Sequence, residues 1–312
     1  MDSYVSFPAL GWEIPVRDWI FRIPLGDNVF YVRWYSVLIA LGVLLAAWYA
    51  FRHADRFGLN KDAMMDVVMV CSVFAIIGAR LYYVLFSSDR DAYFADPLSI
   101  LRVWEGGIAI YGAIIGAFGT ALWMCKLRKV DTLRMFDIAA PGFLIGQALG
   151  RWGNFFNQEA FGTNTTLPWG MSGSEIALNP DSLSYDMTQP VHPTFLYESL
   201  WCLLGLLIVH IVSKKAYKFR GQLFSLYVIW YGTGRFFIEQ LRTDSLYIGS
   251  SNLRVSCLVA AVAVIGGVTL YFILKNREER LPKDLFEQEP AEAQIIPDKA
   301  SDEEEVTDGS EN

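Results

Sequence analysis

The apolar residues of this chain are grouped into long runs, separated by shorter polar and charged stretches. Seven runs approach the roughly 20 residues that a helix needs to cross the hydrocarbon core of a bilayer. They predict helices at about 34–51, 64–86, 106–124, 136–156, 195–212, 222–241 and 254–274. The pattern therefore predicts an all-α polytopic membrane protein with seven transmembrane helices.

Charges between the predicted helices indicate which side each connection faces. Lys and Arg concentrate in alternate connections, as expected of cytoplasmic loops. These residues are Arg52, Arg56, Lys61, Lys126, Arg128, Lys129, Arg134, Lys214, Lys215, Lys218, Arg220, Lys275, Arg277 and Arg280. The 157–192 loop contains acidic residues and no Lys or Arg. We therefore expect the N-terminus outside, the C-terminus in the cytoplasm, and a small extracytoplasmic head at about 157–192.

The rest of the pattern sets the domain boundaries. Residues 1–33 are expected to form an extracytoplasmic amphipathic segment, and residues 34–275 the membrane domain. Residues 276–312 hold thirteen acidic and four basic residues, so the net charge of −7 is a property of this tail. Its low apolar content predicts a disordered cytoplasmic tail. No cleavable signal peptide is expected, because the first long apolar run begins near Trp34 without a basic region and cleavage site before it.

Composition agrees with a membrane location. The chain is 53% hydrophobic and 15% aromatic, which suits aromatic belts at two bilayer interfaces. The four cysteines lie in or beside apolar segments without a CxxC pair, and we interpret them as buried small hydrophobic residues. The histidines and acidic residues give no metal-binding pattern. We expect a monomer that contacts the lipid bilayer and no nucleic acid.

Three predicted helices carry an arginine in their outer half, shortly after a glycine. They are Arg80 in GARLYYV, Arg151 in GRWGNFF, and Arg235 in GTGRFFIEQLR, which also contains Glu239 and Arg242. Charges inside a spanning helix are costly unless they are paired or hydrated, so they are candidates for function. Planar guanidinium groups match phosphate oxygens. The polar first turns of the odd-numbered helices are expected at the same depth in the membrane. Together with the arginines, they predict a site for an anionic lipid headgroup.

Simpler structural roles are open for the charged residues. Arg80 and Arg242 could extend to lipid headgroups. Arg235 and Glu239 are four residues apart and could form an ion pair on one helix face. His192, which precedes a proline, could mark the start of a helix.

Simpler roles are also open for the aromatic and amide residues. Tyr35, Tyr111 and Tyr231 could belong to the interfacial aromatic belts. Asn154 and Asn157 could cap the end of a helix. The sequence alone does not choose between these roles and a headgroup site.

The stretch GRWGNFFNQEAFG at 150–162 resembles the signature of bacterial phosphatidylglycerol–prolipoprotein diacylglyceryl transferases. The fixed positions are Gly150, Arg151, Gly153, Asn154, Phe155, Asn157, Glu159 and Gly162. WEGGIAIYGAIIG, HPTFLYES, GARLYYVLF and YGTGRFFIEQLR are similar to other motifs of that family. The resemblance covers about 30–275 and leaves out the acidic tail.

The resemblance implies a multi-pass enzyme of the bacterial cytoplasmic membrane that uses no cofactor or metal. Such an enzyme moves the diacylglyceryl group of phosphatidylglycerol to the lipobox cysteine of preprolipoproteins. It forms a thioether and releases glycerol 1-phosphate, the first step of lipoprotein maturation. A transporter or flippase of an anionic lipid is the alternative, although such proteins usually contain internal repeats, and none is found here. A non-catalytic receptor is a third possibility.

By the same resemblance, the catalytic residues are Arg151, Arg235, Tyr111, Glu159 and Glu239. The residues expected to bind phosphatidylglycerol are Arg151, Asn154, Arg235, Tyr35, Tyr231, Arg80, Asn157, Arg242 and His192. Tyr111 stands where many family members have a histidine. A histidine is a natural base for a thiol, whereas a phenol is a poor one unless an arginine lies beside it. We therefore hypothesise that Tyr111 lies next to Arg151 or Arg235, where it binds the headgroup or relays the proton. Activation of the thiol by the arginines alone is the alternative.

Overall fold

The computed structural model describes residues 3–25, 28–87, 90–103, 106–178, 185–245, 247 and 253–278. The helices are α1 (Trp34–His53), α2 (Lys61–Phe86), α3 (Arg90–Ala95), α4 (Ile110–Leu127), α5 (Thr132–Asn157), α6 (Ser174–Leu178), α7 (Thr194–Lys215), α8 (Gln222–Ile238) and α9 (Val255–Glu278). The seven long helices coincide with the seven apolar runs to within four residues at each end.

Five of the long helices, within the described part of the chain, are long and apolar enough to cross a membrane: α1, α2, α4, α7 and α9. The chain is thus a polytopic membrane protein. The other two long helices differ in length or composition. Helix α8 has 17 residues, and α5 contains several charged and amide side chains along its 26 residues.

The prediction of an all-α chain is wrong for the segment before α1. This segment forms β1 (Tyr4–Phe7), β2 (Trp12–Pro15), β3 (Trp19–Leu25) and β4 (Asn28–Arg33). Strands β1 and β2 pair antiparallel, as do β3 and β4. Two short stretches that pair as strands satisfy the hydrogen bonds of each other's backbone N–H and C=O groups. The spacing of apolar residues does not indicate such pairing.

The N-terminal strands also join the region between α5 and α7. A further strand, β5 (Ser172–Gly173), pairs antiparallel with β1 and places Val5 opposite Gly173. A hydrophobic cluster forms beneath these strands, and its buried members include Val5, Val16, Phe161 and Ile176. Residues distant in sequence therefore form one small core at the end of the helical bundle.

The bundle is held by pairwise helix packing. Helix α2 packs against α4, α1 against α5, α5 against α7, and α8 against α9. Two helices begin at polar side chains that accept backbone N–H bonds, Asn60 before α2 and Asp131 before α5. The fully buried Asp137 of α5 accepts hydrogen bonds from the backbone N–H groups of Gly221 and Phe224, which anchors the start of α8 on α5.

The predicted acidic tail lies mostly outside the described residues. Helix α9 continues to Glu278, so the first three residues assigned to the tail belong to a helix. The domain boundary at 275 stays a prediction.

Candidate functional site

A network of ion pairs lies where α5 and α8 end and α7 begins. Its centre is Glu198 of α7, whose side chain is 4% exposed. One carboxylate oxygen lies 2.6 Å from Arg151 Nη2, and the other lies 2.9 Å from Arg235 Nη1. Arg242 Nη1 is 3.5 Å from the second oxygen. One buried carboxylate therefore orients three arginines that come from different parts of the chain.

A second group of contacts holds Arg235, on α8, and Arg242, just after α8. Arg235 Nη2 lies 2.7 Å from Glu239 Oε2, four residues further along. Arg242 forms a two-point contact with Asp244, at 2.8 and 2.6 Å. The i,i+4 ion pair that the sequence left open is therefore present, and it belongs to a larger network.

The carboxylate beside Arg242 favours the charged form of its guanidinium group. Burial lowers the pKa of Arg242, but the bonds and charge of Asp244 outweigh that effect and raise the pKa above its usual value. Arg242 is 9% exposed. It does not extend to the surface, as a snorkelling arginine would.

The amides of the signature stretch share one carboxylate. Asn154 Nδ2 and Asn157 Nδ2 donate to Glu159 Oε1 at 3.0 and 3.1 Å. Arg151 Nη1 donates to Asn154 Oδ1 at 3.4 Å, which connects Glu159 to the ion-pair network. Helix α5 ends with Gln158 in the left-handed conformation. The two asparagine amides thus bond to a carboxylate, not to the last helical carbonyls.

Two glycines of the signature stretch allow close packing. A Cβ atom at Gly153 would lie 2.1 Å from the ring of Tyr35, so this tyrosine packs directly on the backbone of α5. A Cβ atom at Gly162 would lie 2.8 Å from His192 Cβ and 3.0 Å from the carbonyl oxygen of Leu241. The second glycine therefore brings the region after α5 against the residues just before α7 and just after α8.

The two predicted tyrosines Tyr231 and Tyr35 lie on different helices. Tyr231 is one helical turn before Arg235 on α8, and its ring stacks on that of Tyr227 with centroids 6.0 Å apart. Tyr35 is on the first turn of α1, is 37% exposed, and packs on the backbone at Gly153, two residues after Arg151.

Tyr111 lies on the first turn of α4. It is 44% exposed, and its ring neighbours that of Tyr82, with centroids 6.2 Å apart. Among the described residues, no hydrogen bond or cation–π contact joins it to Arg151 or Arg235. Helix α4 packs mainly on α2, whereas both arginines belong to helices that pack on α7, and the proximity of Tyr111 to the arginines stays a prediction.

Arg80 has contacts of a different kind from those of Arg151 and Arg235. It is 4% exposed, and all three of its nitrogen groups donate to backbone carbonyls. The acceptors are Ser99, Ile100, Gly106 and Gly107, at 2.7–2.8 Å. This arginine therefore holds the connection before α4 against α2.

His192 lies at the start of α7 beside the signature stretch. Its Nδ1 is 3.1 Å from the hydroxyl of Tyr197, which accepts a hydrogen bond from Trp169 Nε1 at 2.8 Å. Its backbone carbonyl accepts from the N–H of Gly162. Desolvation lowers the pKa of His192 below its ordinary value, so the imidazole is neutral at pH 7.

The sequence assigned no site role to two residues, Glu198 and Gln158. Glu198 belongs to the polar first turn HPTFLYES that was expected at the depth of the arginines, yet it is the centre of the network. Gln158 is buried and bonds to Ser3 and to the backbone N–H of Glu175, which ties the signature turn to the N-terminal strands. A carboxylate in the apolar run after His192 was the available signal for Glu198, because a buried acid requires cationic partners.

Comparison with known proteins gives one consistent result. A family model described as prolipoprotein diacylglyceryl transferase matches residues 23–273. A Clostridium perfringens protein named phosphatidylglycerol–prolipoprotein diacylglyceryl transferase 1 is 42% identical over 261 residues, covering 82% of this chain and 95% of its own length. Two further relatives are named phosphatidylglycerol–prolipoprotein diacylglyceryl transferase. The Bacillus cytotoxicus protein is 40% identical, covering 85% of this chain and 94% of its own length. The Bacillus velezensis protein is 43% identical, covering 77% of this chain and 86% of its own length.

Proposed function

Because the chain belongs to the prolipoprotein diacylglyceryl transferase family, we propose that it transfers the diacylglyceryl group of phosphatidylglycerol to a lipobox cysteine. The acceptor is the thiol of a preprolipoprotein. The products are a thioether-linked lipoprotein precursor and glycerol 1-phosphate. This reaction is the first step of lipoprotein maturation.

The reaction needs a group that accepts developing negative charge. The cysteine sulfur attacks the diacylglyceryl carbon that carries the phosphate oxygen, and a C–S bond forms as that C–O bond breaks. The bonding electrons leave on the phosphate, so glycerol 1-phosphate departs with more negative charge than the diester had. The thiol proton passes to solvent or to a base. Positioned cations stabilise such a leaving group in the transition state.

The observation that carries the proposal is the pair of arginines on Glu198. Arg151 and Arg235 are each about one-fifth exposed and are held by the same buried carboxylate. Each guanidinium has five N–H donors, and the ion pairs leave other donors of both arginines for phosphate oxygens. Arg151 and Arg235 are therefore proposed to bind and neutralise the leaving phosphate, with Glu239 orienting Arg235.

The remaining predicted site residues take supporting roles in this proposal. Asn154, Asn157 and Glu159 form the wall of the site next to Arg151. Tyr35 and Tyr231 border the lipid, and His192 and Arg242 close the side that faces α7. We also propose that all seven long helices span the bacterial cytoplasmic membrane with the N-terminus outside. The clustering of Lys and Arg in alternate connections supports this orientation.

The proposed activity is tested by incubating purified protein with phosphatidylglycerol and a lipobox peptide. Mass spectrometry should detect the diacylglyceryl thioether on the peptide, and glycerol 1-phosphate should appear in equal amount. A peptide with Ser in place of the lipobox Cys is the matched control and should remain unmodified. Transbilayer movement of intact phosphatidylglycerol without either product would instead indicate a lipid transporter.

Tyr111→Phe tests whether the phenol handles the thiol proton. Since Tyr111 has no bond to the arginines among the described residues, we expect transfer within about threefold of the wild-type rate, whereas loss of a general base would cost about 10²–10⁴-fold. The measurement is kcat at saturating lipid and peptide. A loss of a hundredfold or more in a folded variant would restore Tyr111 as a catalytic group.

Arg80→Ala tests whether Arg80 binds lipid or supports the fold. Four backbone carbonyls lose a charged donor, so we expect a loss of unfolding free energy of about 3 kcal/mol. The Michaelis constant of the folded variant for phosphatidylglycerol should stay unchanged. Thermal unfolding in detergent and initial rates measure the two effects. Unchanged stability with a raised Michaelis constant would assign Arg80 to the lipid instead.

A further inference from the structure

A polar cavity lies beside the ion-pair network, between the N-terminal strands and the signature turn. Its volume is about 770 Å³, and its walls include Arg17, Arg22, Arg33, Asn157 and Glu159. Cavities of this size are typical of small-molecule sites. None of the three arginines belongs to the predicted site, and all three precede α1.

The charges of the cavity are mixed, with three guanidinium groups among several acceptors. Arg33 pairs with Asp18 at 3.4 Å, and both side chains are about half exposed. Arg17 lies over the ring of Trp19, 5.3 Å from its centroid. Arg22 is exposed on β3. Guanidinium groups suit a phosphate, whereas carboxylates and amide oxygens suit hydroxyl donors. A ligand with both phosphate and hydroxyl groups therefore fits this wall better than a bare anion.

One wall residue has an unused hydrogen-bonding atom. The amide nitrogen of Asn157 donates to Glu159, so the amide oxygen points elsewhere. That oxygen is buried and has no partner among the described residues. Unpaired buried acceptors are costly. A hydroxyl donor, brought by a ligand at this wall, is the group that such an oxygen requires.

A continuous path of polar contacts joins the cavity to the network. Glu159 lines the cavity and accepts from Asn154, and Asn154 accepts from Arg151, which pairs with Glu198. The cavity wall is therefore connected to Arg151 through the hydrogen-bonded side chains of Glu159 and Asn154. The position suits a group that has just been released from the lipid.

We propose that this cavity binds glycerol phosphate, either as the free product or as the headgroup of a phosphatidylglycerol molecule. The phosphate contacts Arg22 and its neighbouring arginines, and the glycerol hydroxyls bond to Asn157 and Glu159. The inference rests on the proposed function for the source of this ligand. The binding itself requires no turnover.

Direct binding tests the proposal without the reaction. Calorimetry of the purified protein in detergent, with no peptide, should detect binding of glycerol 1-phosphate. Arg22→Ala should weaken it about tenfold, since a charged hydrogen bond at an exposed site is lost. Arg90→Ala, which removes an exposed arginine of α3 outside the cavity, should leave it unchanged. Inorganic phosphate at the same concentration should bind much more weakly. Equal binding of inorganic phosphate, or of the Arg22→Ala protein, would overturn the proposal.

Kinetics then distinguish the two sources of the ligand. If the cavity takes the free product, Arg22→Ala raises the inhibition constant for added glycerol 1-phosphate about tenfold without changing the Michaelis constant for phosphatidylglycerol. If it takes the lipid headgroup, the Michaelis constant rises instead. Unchanged values for both constants contradict the proposal. An inactive protein that still binds glycerol 1-phosphate would reject the proposed reaction while leaving the cavity site in place.

Discussion

Replacing Arg235 with alanine is expected to lower kcat/KM for lipid transfer by about 10²–10³-fold, the usual effect of removing one donor from a site that stabilises charge in the transition state. Arg235 is held by both Glu198 and Glu239 and remains about one-fifth exposed. The loss should fall mainly on kcat, because the leaving phosphate gains charge as the C–O bond breaks. Initial rates at several lipid concentrations measure it.

Two controls separate chemistry from folding in the Arg235 experiment. Arg235→Lys keeps the charge but loses the planar fork of donors, so it should retain part of the activity. Arg90→Ala removes an exposed arginine distant from the network in sequence and should behave as wild type. Transfer by Arg235→Ala within about threefold of the wild-type rate, in a protein that elutes normally from gel filtration, would contradict the assigned role.

Glu198→Ala is expected to reduce both stability and activity. The carboxylate is 4% exposed and is shared by Arg151, Arg235 and Arg242. Removing one partner of a buried ion pair costs about 3–5 kcal/mol, because charges that remain buried lose their compensation. The arginines would also lose their common orientation, and we expect transfer to fall at least tenfold per folded molecule. Thermal unfolding and initial rates test the two effects separately.

Matched variants make the Glu198 result specific. Glu198→Gln keeps the shape and one acceptor oxygen, so it should be more stable than Glu198→Ala but still impaired in transfer. Glu13→Gln removes a carboxylate from the exposed strand β2 and should have no effect on either property. If Glu198→Gln matches the wild type in both properties, the carboxylate charge does not organise the site.

The helices could be predicted from the sequence because a bilayer imposes a length on each apolar run, and this length is local information. The joining of β1 to β5 could not, because it pairs residues as distant as Val5 and Gly173. The spacing of apolar residues carries no information about such non-local hydrogen bonds. The same reason hid the role of Gln158, which connects the signature turn to Ser3.

The sequence pointed to the arginines of the candidate site but not to the partners that hold them. Arg80, Arg151 and Arg235 follow the same local pattern of a glycine and then an arginine, yet their surroundings differ. Arg80 meets backbone carbonyls, whereas the other two meet Glu198. Partners are set by helix packing, which the local pattern does not contain. The reaction was inferred from the resemblance to a family, whereas the central position of Glu198 became visible only in the folded structure.

A structure determined with phosphatidylglycerol bound, in the absence of peptide, would show which side chains hold the lipid phosphate. We expect phosphate oxygens about 2.7–2.9 Å from guanidinium nitrogens of both Arg151 and Arg235, the usual distance of a charge-assisted hydrogen bond. A bound headgroup whose phosphate contacts neither arginine would show that the two arginines do not bind the lipid phosphate.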